Sequence, residues 1–258
     1  MLVRDQLNRN IEIEDYPKRI ISLVPSQTEL LVDLGLESSI IGVTKFCVHP
    51  KSLRKIKTVV GGTKQVHYNK IQDLRPDLVL CNKEENTKDM IERLEQIAPV
   101  HISDVNSIED SFELIEMYGT LFNLESKSKE IIRSIKLERA RFQAEFNFRD
   151  SKTVAYFIWR EPWMVAANNT FINCMLEEAG FNNAYIHESR YPEVTFNDEP
   201  LGQVDRIFLS TEPYPFKESH LEFIKSRFPN KEVSLVDGEM FSWYGSRLAL
   251  AYKYFSTI

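Results

Sequence analysis

The sequence predicts an α/β protein of two Rossmann-like lobes with parallel sheets, joined by a long, rigid α-helix. Three observations predict it. From about Ser107 to Phe148 the chain has no proline and a single glycine, Gly119, and helix formers and charges dominate. On each side of that stretch, short apolar runs alternate with helical patterns, the signature of βα units and a parallel sheet. The run Asp77 to Cys81 (DLVLC) is apolar after its first residue, as a strand covered on both faces requires. The predicted domains are a lobe over 1–106, a helical linker over 107–148 and a second lobe over 149–258. Within the linker, a helix from Glu125 to Asn147 of roughly 23 residues would be about 35 Å long. Two lobes held by such a strut imply a cleft that closes little, and a cleft between lobes suits a small ligand.

In the first lobe, Arg19 to Val24 reads as a strand ended by Pro25. Ser26 with Glu29 three residues later reads as a capping box, and the helix TELLVDLGL stops near Gly35. Strands follow at Ile40–Val43 and Thr58–Val60, then a helix at Lys70–Leu74 that stops before Pro76. The strand Asp77–Cys81, a helix at Asn86–Ile97 and a strand at Val100–Ser103 complete the lobe. The second lobe reads as strand Thr153–Trp159, helix Thr170–Ala179 closed by Gly180, a short strand at Ala184–Ile186 and a strand at Asp205–Ser210. Helix Lys217–Arg227, strand Glu232–Val236 and a terminal helix over Gly245–Ser256 close the chain.

The 258 residues carry 32 Lys and Arg against 38 Asp and Glu, a net charge of −6. No basic stretch is dense enough to suggest nucleic acid, and no segment approaches the ~20 apolar residues of a membrane span. The cysteines, Cys47, Cys81 and Cys174, form no CxxC pair, and Cys81 and Cys174 lie in apolar runs as buried thiols would. The first residues show neither an apolar leader core nor a lipid-attachable cysteine, so the chain as written reads as cytoplasmic. A chain whose leader had been removed would read the same way and be periplasmic.

Polar and aromatic groups gather after the strand ends, where ligands of open α/β sheets bind. The first lobe offers Pro25-Ser26-Gln27, Lys45-Phe46, His49, Lys64 and Asn82-Lys83-Glu84-Glu85. The second offers Trp159-Arg160-Glu161-Pro162-Trp163, Tyr191, Glu212-Pro213-Tyr214, and Phe241-Ser242-Trp243-Tyr244-Gly245-Ser246-Arg247. A tryptophan there serves packing or ligand stacking equally well. Arg160 is harder to place in a core, and suits a carboxylate, a phosphate or a ring face. Glu84 and Glu85 read either as a solvated helix start or as ligand groups. The five histidines form no HxxxH or HExxH pair, so no preformed metal site is read; His49, after a strand, is the candidate for an axial contact to a bound metal. There is no GxSxG, P-loop or GxGxxG motif, and Gly61-Gly62-Thr63-Lys64 reads as a turn.

RIISLVPSQTELLVDLGLESSIIGV, KIQDLRPDLVL, the strut and FINCMLEEAGFNNAY together resemble the cluster-III, helical-backbone periplasmic binding proteins of ABC transporters. These are receptors for cobalamin, haem and ferric siderophores, and the vitamin B12-binding branch is the nearest. The resemblance covers nearly the whole chain and implies two α/β lobes, a rigid helix and no enzyme activity or intrinsic cofactor. Of the aromatic positions that hold the corrin in that branch, two fall on Phe46 and Tyr191, where aromatic character is kept. Two others fall on Thr63 and Asn82, where it is lost. The permease-docking glutamates of the family fall on Asn69 and Asn197, with Asp73, Glu193, Asp198 and Glu199 nearby.

The expectation is a substrate-binding protein for a bulky metal-containing ligand: cobalamin or another corrinoid, haem, or a ferric siderophore. The expected ligand residues are Phe46, His49, Lys64, Asn82, Glu84, Glu85, Trp159, Arg160, Trp163, Tyr191, Tyr214, Ser242, Trp243, Tyr244 and Arg247. Arg160 and Arg247 would anchor acidic or amide groups, and the aromatics would stack. The alternative is a cytoplasmic cofactor-binding or metal-handling protein, or an enzyme, on the same scaffold, with Glu84, Glu85 and His49 as the reactive groups.

Overall fold

A computed structural model describes residues 1–146 and 151–258. The chain divides into two compact units: Met1–Leu137 with Tyr244–Leu248, and Glu138–Trp243 with Ala249–Ile258. The five residues that return to the first unit had been assigned by sequence to the second lobe. The expected boundary between 148 and 149 lies outside the described residues.

The first unit is built on a five-stranded parallel sheet in the order β5-β4-β3-β6-β7. Its strands are β3 (Ile20–Ser22), β4 (Ile40–Thr44), β5 (Thr58–Gly61), β6 (Leu78–Asn82) and β7 (Val100–Ser103). An antiparallel hairpin precedes it, β1 (Leu2–Arg4) and β2 (Asn10–Glu12). One face of the sheet buries Ile21, Leu23, Val79, Cys81, Val100 and Ile102 with Met90, Ile91 and Leu94 of helix α4 (Lys88–Leu94). The other face carries Ile20, Ser22, Leu78, Leu80, His101 and Ser103, all buried as well. Covering both faces is what makes the strands read as unbroken apolar runs.

Helix α1 (Pro25–Asp33) begins with proline at its first position, where the missing N–H costs nothing. The expected capping box is absent. Val24 is the N-cap, Ser26 lies inside the helix with an unpartnered hydroxyl, and Glu29 is used elsewhere. Short helices α2 (Leu53–Ile56) and α3 (Tyr68–Leu74) flank β5. Helix α5 (Ile108–Leu121) has the capping box that α1 lacks, from Ser107 and Asp110. It ends before Asn123, whose φ of 56° breaks the helical run. Helix α6 (Glu125–Glu145) then runs from the first unit into the second. Asn147, the expected end of that helix, lies outside the described residues.

The second unit has the parallel order β10-β8-β11-β12, from β8 (Thr153–Trp159), β10 (Asn182–Asn183), β11 (Arg206–Ser210) and β12 (Glu232–Val236). A two-residue strand β9 (Met164–Val165) pairs antiparallel with β8. The short strand expected at Ala184–Ile186 sits earlier, at β10, because Asn182 and Asn183 are the residues that pair with Thr153 and Val154. The core gathers Phe157, Leu201, Leu209, Phe216 and Ile224 around the sheet. Helix α7 (Phe171–Glu178) is capped by the Thr170 hydroxyl; α8 (Glu199–Gln203), α9 (Glu218–Arg227) and α10 (Glu239–Ser242) follow. After a 3-10 turn at Gly245–Arg247 comes α11 (Leu248–Phe255). The end of α6 is tied to this unit by Arg139, whose Nε donates to Glu178 at 2.7 Å, while the Tyr252 hydroxyl donates to the same carboxylate at 2.8 Å.

Candidate functional site

In each sheet the strand order reverses once, between β3 and β6 in the first unit and between β8 and β11 in the second. The crevice at the carboxyl ends of such a pair is where open α/β sheets bind ligands. The predicted residues follow the strands at both positions, but they divide into groups that line the rims and groups used by the fold.

In the first unit Asn82 ends β6 and is only 3% exposed. Its Oδ1 accepts from the backbone N–H groups of Glu84 (2.8 Å) and Glu85 (3.1 Å), and its Nδ2 donates to the carbonyl (3.2 Å) and hydroxyl (3.0 Å) of Ser103. All four hydrogen-bonding positions of the amide are thereby filled. Asn82 therefore shapes the loop that presents Glu84 and Glu85, which corrects its assignment as a ligand contact. Asn86 continues the scaffold, accepting from Asn82 N–H and donating to Thr63 O, both at 2.8 Å. Lys64 donates to Glu84 O at 2.7 Å but stays exposed. Phe46 is 47% exposed, with Lys45 Nζ 5.0 Å from its ring centre; His49, Glu84 and Glu85 are half-buried.

Behind this rim lies a buried polar network of which the sequence marked only Gln27 and Tyr244. Gln27 Nε2 donates to Ser103 Oγ (2.6 Å) and to the Tyr244 hydroxyl (2.9 Å), and Gln27 Oε1 accepts from the Tyr118 hydroxyl (2.7 Å). Burial, and then the nearby Glu85 charge, raise the Tyr244 pKa, so its hydroxyl stays protonated as a donor. Arg247 is 4% exposed and grips Glu29 with two bonds of 2.7 and 2.6 Å. Tyr244 and Arg247 thus hold the chain end to the first unit rather than facing a ligand, a second correction. No local pattern announces a pair 218 residues apart in sequence.

In the second unit, Trp159 at the end of β8 is 40% exposed and meets Tyr214, after β11, edge to face at 5.5 Å. Arg160 is half-exposed, 3.1 Å from Glu161. Tyr191 is half-buried beside the Glu193–Met164 bridge to β9. The other three predicted groups are engaged by the fold. Trp163 is half-buried against the core, stacked on Phe216 (5.9 Å, 15°) and on the exposed Phe223 (6.1 Å, 7°), with the Arg160 guanidinium 5.9 Å from its ring. Trp243 Nε1 and Ser242 Oγ both donate to Glu212 Oε1, at 2.5 and 3.3 Å. Burial raises the Glu212 pKa, and the indole bond opposes it. Ser242 Oγ is also bound to Gly238 O at 2.8 Å. The burial and indole bond of Trp243 correct its assignment, while Trp163 and Ser242 are half-buried and partly committed to the fold.

Cys81 is buried as expected, and Cys174 is half-buried. Among the described residues, no group of three or more His, Cys, Asp or Glu side chains could hold a metal ion. No helix among them is long and apolar enough to cross a membrane. Two grooves of the first unit, along β2 and the amino end of the sheet, are lined by none of the predicted site residues.

Two doubly wound sheets, each with an aromatic or charged rim at its strand-order reversal, define a ligand-binding α/β class of protein. The periplasmic binding protein family model matches residues 20–203. The chain belongs to that family, a family of substrate-binding proteins. It is 28% identical over 211 residues to an uncharacterized ABC transporter substrate-binding lipoprotein of Bacillus subtilis, covering 79% of this chain and 66% of that one. It is 24% identical over 195 residues to a vitamin B12-binding protein of Vibrio parahaemolyticus, covering 75% of this chain and 70% of that one. A solved structure from Staphylococcus epidermidis, described as a possible iron-binding periplasmic solute-binding protein, shares the fold. Its TM-score is 0.77 at 23% identity, covering 93% of this chain and 97% of that one.

Proposed function

We propose that this protein is the ligand-binding component of an ABC import system, acting outside the cytoplasmic membrane on a bulky metal-containing molecule of the corrinoid, haem or ferric siderophore class. It binds and releases its ligand without chemical change. The observation that carries the reading is the Trp159–Tyr214 pair with Arg160 beside it, at the strand-order reversal of the second unit. Two aromatic faces and a guanidinium that is not buried suit a large flat or amide-rich ligand with acidic groups. From the first unit, Phe46, Lys64, Glu84, Glu85 and His49 are the ligand-facing candidates, His49 as the axial donor to a bound metal. Tyr191 completes the second set. The partner is a permease, engaged through carboxylates near Asn69 and Asn197, such as Asp73 and Glu199, because those two positions carry no charge themselves.

A thermal-shift panel of cobalamin, cobinamide, haem and ferric siderophores, with absorbance spectra of any hit, tests this. A ligand at about 100 times its dissociation constant stabilises by about 2.7 kcal/mol, well within detection. Absence of any shift with the whole panel would sink the reading. Alanine at Glu84, Glu85 and His49 separates it from the enzymatic alternative: binding is weakened at most, and no turnover disappears.

A further inference from the structure

Between Glu37 and Asp73 the chain has no acidic residue and seven cations, from Lys45 to Lys70, in a protein of net charge −6. The fold collects this stretch on one side of the first unit. It comprises the loop after β4, helix α2, the edge strand β5 and the start of α3, with α2 and α3 packed on β5. Six of the seven cations are exposed and Lys57 is half-buried. Among the described residues none of the seven is ion-paired. Two large apolar side chains stand out between them, Ile56 at 60% and Phe46 at 47% exposure. An ordinary solvated face mixes both signs and hides its isoleucines; this one does neither.

We propose that this β5 edge rests on an anionic lipid surface, the lysines of and around α2 meeting the headgroup phosphates and Ile56 reaching into the interfacial layer. Six of the cations are lysine, a mobile point charge on a long stem, and the one arginine, Arg54, spends a donor on Lys45 O at 2.7 Å. A docking site for a particular acidic protein favours arginine forks that fix carboxylates in pairs. A diffuse layer of phosphates needs no such geometry, and exposed apolar groups among cations add to binding there. The proposal is carried by helix α2 and the cations around it, Lys51, Arg54, Lys55 and Lys57 with Ile56, and not by the ligand-facing candidates Phe46 and Lys64, so it can fail while the ligand reading stands.

The test is flotation of the full chain with phosphatidylglycerol–phosphatidylcholine vesicles and with phosphatidylcholine vesicles alone. The expected result is binding to the anionic vesicles only, weakened by added salt. Each cation removed should weaken partitioning about five-fold, so Lys51→Gln with Lys55→Gln should lose about 25-fold. Ile56→Ser should also weaken binding, while its salt dependence stays that of the parent. Lys225→Gln, on α9 of the second unit, should bind as the parent does, and far-UV circular dichroism checks that every variant is folded. Equal binding to neutral vesicles, no binding to either, or indifference to the Lys51 and Lys55 substitutions would overturn the proposal. Capture by immobilised polyglutamate without vesicle binding would overturn it in favour of an acidic protein partner.

Discussion

Acidification should loosen the first unit through one side chain. His101 sits in β7, 1% exposed, with neither ring nitrogen hydrogen-bonded and its ring edge-on to Tyr118 at 5.4 Å. Burial lowers its pKa from 6.5 to about 4; the Asp5 charge works against that shift and Arg9 adds to it. The unfolded chain takes up the proton near pH 6.5 while the native one resists until about pH 4. Stability is therefore complete above pH 6.5, is lost as pH falls through the interval to 4, and is flat below it. The gap corresponds to about 3 kcal/mol. His101→Leu removes the titration and leaves no polar atom unsatisfied, so it should be near neutral at pH 7 and should flatten this part of the pH profile. All three tryptophans belong to the second unit, so their fluorescence reports the wrong half. Amide exchange in β7, in parent and variant at pH 7 and pH 4.5, reads the right one. A parent-minus-variant pH difference below about 1 kcal/mol would refute the reasoning, since other carboxylates titrate equally in both proteins.

Arg247→Ala should cost about 3–5 kcal/mol by leaving Glu29 buried and unpaired, and Arg247→Leu with Glu29→Leu should recover much of it in urea denaturation of the two variants. Trp159→Ala and Trp163→Ala should separate binding from folding. The first loses ligand affinity by about ten-fold or more with little change in melting temperature, and the second loses about 3 kcal/mol of stability, measured by calorimetry beside ligand titration. Gly61→Ala should destabilise the first unit by about 1–3 kcal/mol, because φ is 141° and an added Cβ would lie 2.5 Å from Gln65 O; amide exchange around β5 reads it.

Regular elements were legible where burial alone dictates them. The strands Val100–Ser103, Thr153–Trp159 and Glu232–Val236 are found with the ends read from their apolar runs. The start of the long helix at Glu125 agrees with the sequence reading, and the positive φ of Asn123 is what breaks the helical run before it. What escaped is structure held by partners distant in sequence. The β1–β2 hairpin has three-residue strands too short for a pattern, and it is anchored by Asp5, whose Oδ2 accepts from Ile102 N–H at 3.2 Å. At the site, composition marked loops but could not rank residues within them. WREPW contains one tryptophan exposed at the rim and one half-buried against the core, and the packing of Phe216 and Phe223 distinguishes them. Glu29 read as a cap because its spacing fitted, whereas its partner Arg247 lies almost a chain length away.

That distance has a consequence for how the molecule comes into being. Gln27 and Glu29 emerge from the ribosome more than 200 residues before Tyr244 and Arg247. Until then the first unit holds a buried amide short of one partner and a carboxylate with no cation. Such a nascent chain cannot finish its leading half by itself, and domain-by-domain folding from the amino end is interrupted. Deleting residues 244–258 should therefore injure the half of the protein made first, more than 200 residues upstream in sequence of the cut.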